Sequence, residues 1–224
     1  MSEFVFEHDF NKCNERCPTK QRFDFIHPDL YINIKTFLDK FYVPFECSID
    51  NIINKGSLHL IDILFIGEAG GEQEVLYKRP FYPGAPSGKI LREVIKDLLL
   101  KNYAIANIIG CRPVSIKKNK FINRTPTESE CDYCIEHLKS FITLLNKDIK
   151  VILLGKTAAF SVFKNIKNYI NDNETISKLV KLPPYKYNSR IFAANFHPRY
   201  VASGGGIKGK RYQDYLNRMG EILE

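Results

Sequence analysis

Four short apolar runs rich in β-branched residues, Leu60 to Ile66, Tyr103 to Ile109, Lys150 to Leu154 and Arg190 to Phe196, are separated by longer amphipathic or polar stretches. Runs of this length suit strands buried on both faces. Strand followed by helix, repeated, means parallel strands, because a helical crossover must carry the chain back to the starting edge. The sequence therefore predicts an α/β fold, a three-layer α/β/α sandwich with a central, mostly parallel four-stranded sheet. The covering helices are also legible. Ile90, Leu91, Val94, Ile95, Leu98 and Leu99 recur at helical spacing behind Ser87, and Thr127-Glu128-Ser129-Glu130 is a capping box opening a helix whose apolar face holds Leu138, Phe141, Ile142 and Leu145. Gly155-Lys156-Thr157-Ala158-Ala159 turns into a helix running to about Lys167, and a final helix spans about Tyr212 to Leu223, weakened by Gly220.

No Pro/Ser linker or internal repeat divides the 224 residues, so residues 1–224 are expected to form a single domain with a cysteine-containing N-terminal segment, and a monomer. The formal charge of +8 favours a polyanionic partner. The N-terminus carries Glu3, Glu7 and Asp9 where a secretory signal needs a basic flank and an apolar core. No stretch approaches the ~20 apolar residues of a membrane span. A cytoplasmic (intracellular) protein without membrane association is expected, and its six cysteines read as thiols or metal ligands rather than as a disulfide framework.

Open parallel sheets bind ligands beyond the carboxyl ends of their strands. There the first run meets Gly67-Glu68-Ala69-Gly70-Gly71-Glu72-Gln73-Glu74, followed by Arg79-Pro80-Phe81, and the last run ends in His197-Pro198. The second run carries Asn107 ahead of Cys111-Arg112-Pro113, and its amide offers both a hydrogen-bond donor and an acceptor. His27-Pro28 repeats the His-Pro dipeptide but precedes an apparent helix. Gly204 to Arg211 fits the first part of a phosphate-binding P-loop, yet Arg211 stands where Ser or Thr must bind magnesium. No nucleotide cofactor is expected, and Lys208, Lys210 and Arg211 read as a basic loop. The segment Ser115 to Ile122 has similar basic and aromatic character.

Together these segments resemble the uracil-DNA glycosylase superfamily, most closely its family 4, whose members carry an iron–sulfur cluster. Gly67-Glu68-Ala69, Gly71, Glu74 and Pro80-Phe81 match the first motif, with Gly70 in place of proline and Val75 in place of an acid. Asn107 with Cys111-Arg112-Pro113 matches the second strand end, Asn123-Arg124-Thr125-Pro126-Thr127 a third element, and His197-Pro198 the second catalytic motif. The resemblance implies a monofunctional DNA glycosylase acting on a flipped pyrimidine, uracil by default. Glu68, Glu74 and His197 would be catalytic, Phe81 and Asn107 would hold the base, and Arg199, Lys208, Lys210 and Arg211 would contact DNA. It leaves the division of roles between Glu68 and Glu74 open. It places cluster ligands at Cys13, Cys17, Cys111 and Cys134, although Cys13 and Cys17 are separated by three residues where the family usually has two. A [4Fe–4S] cluster is expected, the alternative being zinc held by Cys13, Cys17, Cys131 and Cys134. The departures at Gly70, Val75 and around Tyr82 keep two other functions open. One is excision of a bulky modified cytosine from foreign or phage DNA as a defence; the other is a catalytically inactive DNA-binding protein.

Overall fold

A computed structural model describes residues 5–6, 16–21, 34–43, 45–48, 55–118, 120–167 and 174–224. Cys13 and His27 lie outside these. The four expected runs become parallel strands: β3 (Ile63–Ala69), β4 (Tyr103–Ile109), β7 (Lys150–Leu154) and β9 (Arg190–Asn195). They stand side by side in the order β4-β3-β7-β9.

The sheet is wider than expected. Antiparallel β1 (Val5–Phe6) and β2 (Phe45–Cys47) extend it beyond β4, and β8 (Tyr185–Tyr187) pairs with β9 at the other edge, giving seven strands in place of four. Edge strands of two or three residues are too short to leave an alternating pattern in the sequence. The first run also shifts. Lys55–Leu60 forms a 3-10 turn, and the strand continues through Gly67, Glu68 and Ala69.

Alternation along the strands sorts the core into two layers. Leu64, Ile66, Ala104, Ala106, Val151 and Leu153 face one apolar cluster, covered by α4 (Glu128–Leu144) and α5 (Lys156–Lys167). Phe65, Ile105, Ile152, Leu154 and Ala193 face the other, covered by α3 (Pro86–Asp97), α7 (Pro198–Ala202) and α8 (Lys210–Leu223). Burying each large apolar side chain stabilises the fold by roughly 1.5–3 kcal/mol. Further helices include α1 (Ile34–Phe41), α2 (Glu72–Tyr77) and α6 (Ile176–Lys181), and α2 follows β3 directly. Among the described residues no helix is long and apolar enough to cross a membrane.

Between β4 and α4 the chain makes an antiparallel hairpin, β5 (Val114–Lys117) and β6 (Lys120–Asn123), outside the main sheet. The expected capping box then opens α4: Thr127 Oγ1 accepts from the Glu130 N–H, and a Glu130 carboxylate oxygen accepts from the Thr127 N–H at 2.8 Å. Glu130 is 1% exposed, and Arg124 reaches both its oxygens, at 2.6 and 2.7 Å. Burial alone would raise this carboxyl; Arg124 and Thr127 outweigh it and hold the group below the usual carboxylate range. Arg124 Nε also donates to the Val114 carbonyl, fastening the hairpin to the start of α4. Removing one partner of a buried pair strands the other charge, so Arg124→Ala or Glu130→Ala should each lower the unfolding free energy by about 3–5 kcal/mol in urea titrations. Losses below about 1 kcal/mol would show that the pair does not hold this junction together.

Candidate active site

Parallel pairing sets Gly67 of β3 opposite Asn107 of β4. A Cβ at Gly67 would stand 2.4 Å from Asn107 Oδ1 and 2.6 Å from the Phe81 ring, so only glycine lets the amide and the ring close over this strand. Asn107 is buried, and its Nδ2 has no hydrogen-bond partner among the described residues. A buried amide donor without a partner costs about 1–3 kcal/mol, a penalty that a ligand carbonyl placed against it would remove.

Phe81 follows α2 in a turn where its backbone takes the left-handed conformation, φ +47°, at a cost of about 1–3 kcal/mol for a bulky residue. Two networks hold it there. Glu74 at the third position of α2 accepts hydrogen bonds from the Gly71 N–H and from the Phe81 N–H, so both carboxylate oxygens are engaged by backbone. Burial raises the Glu74 carboxyl above its ordinary value, and these two N–H groups oppose the rise. On the other side, Glu46 of β2, itself buried, accepts from Arg79 Nε at 2.8 Å and Arg92 Nη2 at 2.7 Å. Arg92 also reaches the Pro80 carbonyl. Tyr82, next in the chain, stacks on Tyr77 with ring centroids 4.0 Å apart and an interplanar angle of 5°.

His197 ends the β9 segment and caps α7. Its Nδ1 accepts from the Arg199 N–H at 3.1 Å, which leaves the proton of a neutral imidazole on Nε2. Desolvation, with the Arg199 charge as a smaller cause, lowers its pKa from 6.5 to about 4. The ring lies 5.6 Å from Phe81, tilted by 32°. Gly155, at the end of β7 with φ +95°, admits it: a Cβ there would be 3.0 Å from His197 Cβ. Glu68, the penultimate residue of β3, accepts a short hydrogen bond from the Thr157 hydroxyl at the start of α5.

The fold thus brings Phe81 into contact range of both Gly67 beside Asn107 and His197, ties Phe81 to Glu74, and places Glu68 at the end of the same strand as Gly67. Thr157, Glu46, Arg79 and Arg92 join the site from positions that the motifs do not single out. A polar residue in the first turn of a helix at the rim marks Thr157, but nothing local links Glu46 to arginines more than thirty positions away.

Arg199, Lys208 and Lys210 are exposed beyond His197. The Arg211 guanidinium, beside them, lies 4.2 Å over the Tyr200 ring and donates to the Tyr200 carbonyl, while Tyr200 stacks on Phe196. Among the cysteines, Cys17 and Cys111 are buried, and half-buried Cys134 packs against the cluster that contains Cys111. Thiols suit an iron–sulfur cluster in kind, but among the described residues no three His, Cys, Asp or Glu side chains form a group that could hold a metal ion. The described cysteines alone therefore do not make a ligand set. Burial pushes the Cys131 thiol up against an opposing hydrogen bond from Ser161.

A family model described as the uracil DNA glycosylase superfamily matches residues 54–219. Three relatives are each named type-4 uracil-DNA glycosylase. That of Thermotoga maritima is 30% identical over 67% of this chain and 70% of its own. That of Sulfurisphaera tokodaii is 29% identical over 61% and 59%. That of Archaeoglobus fulgidus is 26% identical over 72% and 76%. With the matched span running from the turn before β3 into α8, across every strand end that builds the site, the chain belongs to the uracil-DNA glycosylase superfamily and is a DNA glycosylase.

Proposed function

We propose that the chain excises uracil from DNA by hydrolysing its N-glycosidic bond and leaving an abasic site. The observation that carries this reading is the buried Asn107 amide, its Nδ2 without a partner among the described residues, meeting the Phe81 ring at Gly67, with a neutral histidine 5.6 Å from that ring. The names of the relatives support uracil; none of them speaks for a modified cytosine or for an inactive protein.

A target nucleotide must leave the stack to reach this depth, at a cost of a few kcal/mol. Phe81 stacks on the base, and Asn107 Nδ2 donates to a carbonyl on its edge. As the bond from C1′ to the base breaks, its electron pair passes to the base. His197 Nε2–H donates a hydrogen bond to the oxygen where that charge collects. Glu68, steadied by Thr157, orients the water whose oxygen adds to C1′, and its carboxylate charge favours the cationic sugar. The water's proton balances the anionic base, which leaves as neutral uracil. Glu74, with both oxygens on backbone N–H groups, acts as the brace that sets Phe81 in place. Arg199, Lys208 and Lys210 contact phosphates, and Arg211 holds Tyr200 beside them.

We also propose that Cys13, Cys17, Cys111 and Cys134 together ligate a [4Fe–4S] cluster, on the strength of the family's cysteine pattern and the burial of Cys17 and Cys111. When bound, such a cluster ties distant loops together and supplies no electron to a hydrolysis.

A uracil-containing oligonucleotide should yield free uracil and an abasic site in single-turnover assays, and His197→Ala should slow that step by ~10²-fold or more. Folded, wild-type protein inert on uracil in both single- and double-stranded DNA would sink the reading. The lowered His197 pKa also makes a stability claim. The unfolded chain takes up this proton near pH 6.5 and the folded chain only near 4, so stability is full above that window and is lost as pH falls through it. Comparing wild type with His197→Asn, the wild type should lose about 3 kcal/mol more between neutral pH and pH 4 in denaturant titrations; parallel curves would contradict the buried neutral imidazole. Anaerobically purified protein should contain iron and absorb broadly in the visible, and Cys13→Ala or Cys134→Ala should abolish both signals. Stoichiometric zinc without iron would replace the cluster with the alternative metal.

A further inference from the structure

The hairpin between β4 and α4 is built as though for a partner. Its base is rigid. Arg112, 7% exposed, donates from Nε to Asn123 Oδ1 at 2.6 Å and from Nη2 to the Phe121 carbonyl at 3.2 Å, while Arg124 holds Val114. Asn123 Nδ2 lies 3.6 Å from the position a Cβ would take on Gly71, and Arg112 lies 3.7 Å from Glu72. The hairpin thus starts from the glycine turn that carries Glu74 and stands on the same rim as the base site.

Beyond that base, its composition works against its own stability. Register pairs Lys117 directly with Lys120, with Lys118 between them in the chain. Like charges opposite one another in an antiparallel pair are destabilising. No ion pair joins these three lysines to another described residue. The next two residues, Phe121 and Ile122, point to opposite faces of the ribbon: Phe121, 38% exposed, meets the Phe41 ring edge-on with centroids 5.7 Å apart, and Ile122 is 41% exposed. An isolated two-stranded hairpin is marginal in water, and folding alone gives no reason to load its tip with unpaired lysines and leave Ile122 exposed beside them.

We propose that this hairpin is a DNA-binding arm: Lys117 and Lys120 contact backbone phosphates on the Glu72 side of the base pocket, opposite the Arg199–Lys210 region. The proposal rests on the DNA glycosylase reading and adds to it a second basic element. The charge is complementary to a polyanion, the arm is continuous with the site through Asn123 and Arg112, and exposed apolar groups beside the lysines suit the sugars and bases next to a flipped nucleotide. A protein partner lacks this argument, since nothing about the arm other than its two apolar side chains would select one.

The test is binding of a fluorescent duplex that contains no uracil, measured across a salt series. Lys117→Ala/Lys120→Ala should weaken affinity at low salt by tenfold or more and reduce the slope of log K against log salt by about 2, at ~0.9 for each phosphate that is no longer neutralised. Lys101→Ala/Lys147→Ala is the matched control. It removes the same charge from exposed positions just before β4 and β7, on the opposite rim of the sheet, and should leave the slope as it was. The melting temperature of the hairpin variant should hold or rise, because a repulsion has been removed. An unchanged slope and affinity in the hairpin variant, or an equal change in the control, overturns the arm; the first result also directs attention to a protein ligand. Because the duplex holds no substrate base, this failure is separable from that of the uracil reading, which shows only as absent cleavage.

Discussion

The parallel pairing of β3 with β4 governs the site, because it sets a residue without a side chain opposite the amide proposed to meet the base. Had the register slipped by one, Glu68 would face Asn107 and the Phe81 ring would have no floor to lie on. The same pairing is deep in the fold, with Phe65, Ile66, Ile105 and Ala106 fully buried around it. The geometry of recognition is thereby referred to fully buried strands of the core, and Phe81 and His197 are brought in from connecting segments.

Those two segments are secured differently. The Phe81 turn is held by charge: Glu74 from below, and Glu46 through Arg79 and Arg92 from the antiparallel edge of the sheet. Lys78, also in the left-handed conformation, adds hydrogen bonds to the Asp39 and Tyr42 carbonyls. The N-terminal segment is therefore part of the apparatus that shapes the base site, through the Glu46 carboxylate and the Asp39 and Tyr42 carbonyls. His197 is held by backbone hydrogen bonding and by packing against Gly155.

Much of this is legible in the chain. The four central strands, the α4 capping box and the strand-end positions of Glu68, Asn107 and His197 follow from hydrophobic runs and their punctuation. The end of β3 is harder to read because Gly67 looks like a stop, since glycine weakens a strand unless another group must approach its backbone. Here Phe81 does. Glu74 reads from its motif as a catalytic acid, yet Gly71-x-x-Glu74 also has the spacing of a capping box with glycine in the cap position. The hairpin passes for a loop because its turn uses Lys118 at φ +51° in place of a residue that announces such a conformation. The Glu46 network is illegible in the chain, since an ion pair across the sheet leaves no periodic trace.

One hydrogen bond has a consequence for the catalytic cycle as a whole. The bond that begins α7, from the Arg199 N–H to His197 Nδ1, also decides which nitrogen bears the proton. A side chain that only lends a hydrogen bond ends each round in the state in which it began. No proton has to be fetched from solvent to reload it, so recovery between rounds depends on release of the severed base and of the abasic strand. In the proposed role of His197, the enzyme's readiness is stored in the first turn of a five-residue helix, and local fraying there would silence the histidine without moving any strand of the sheet.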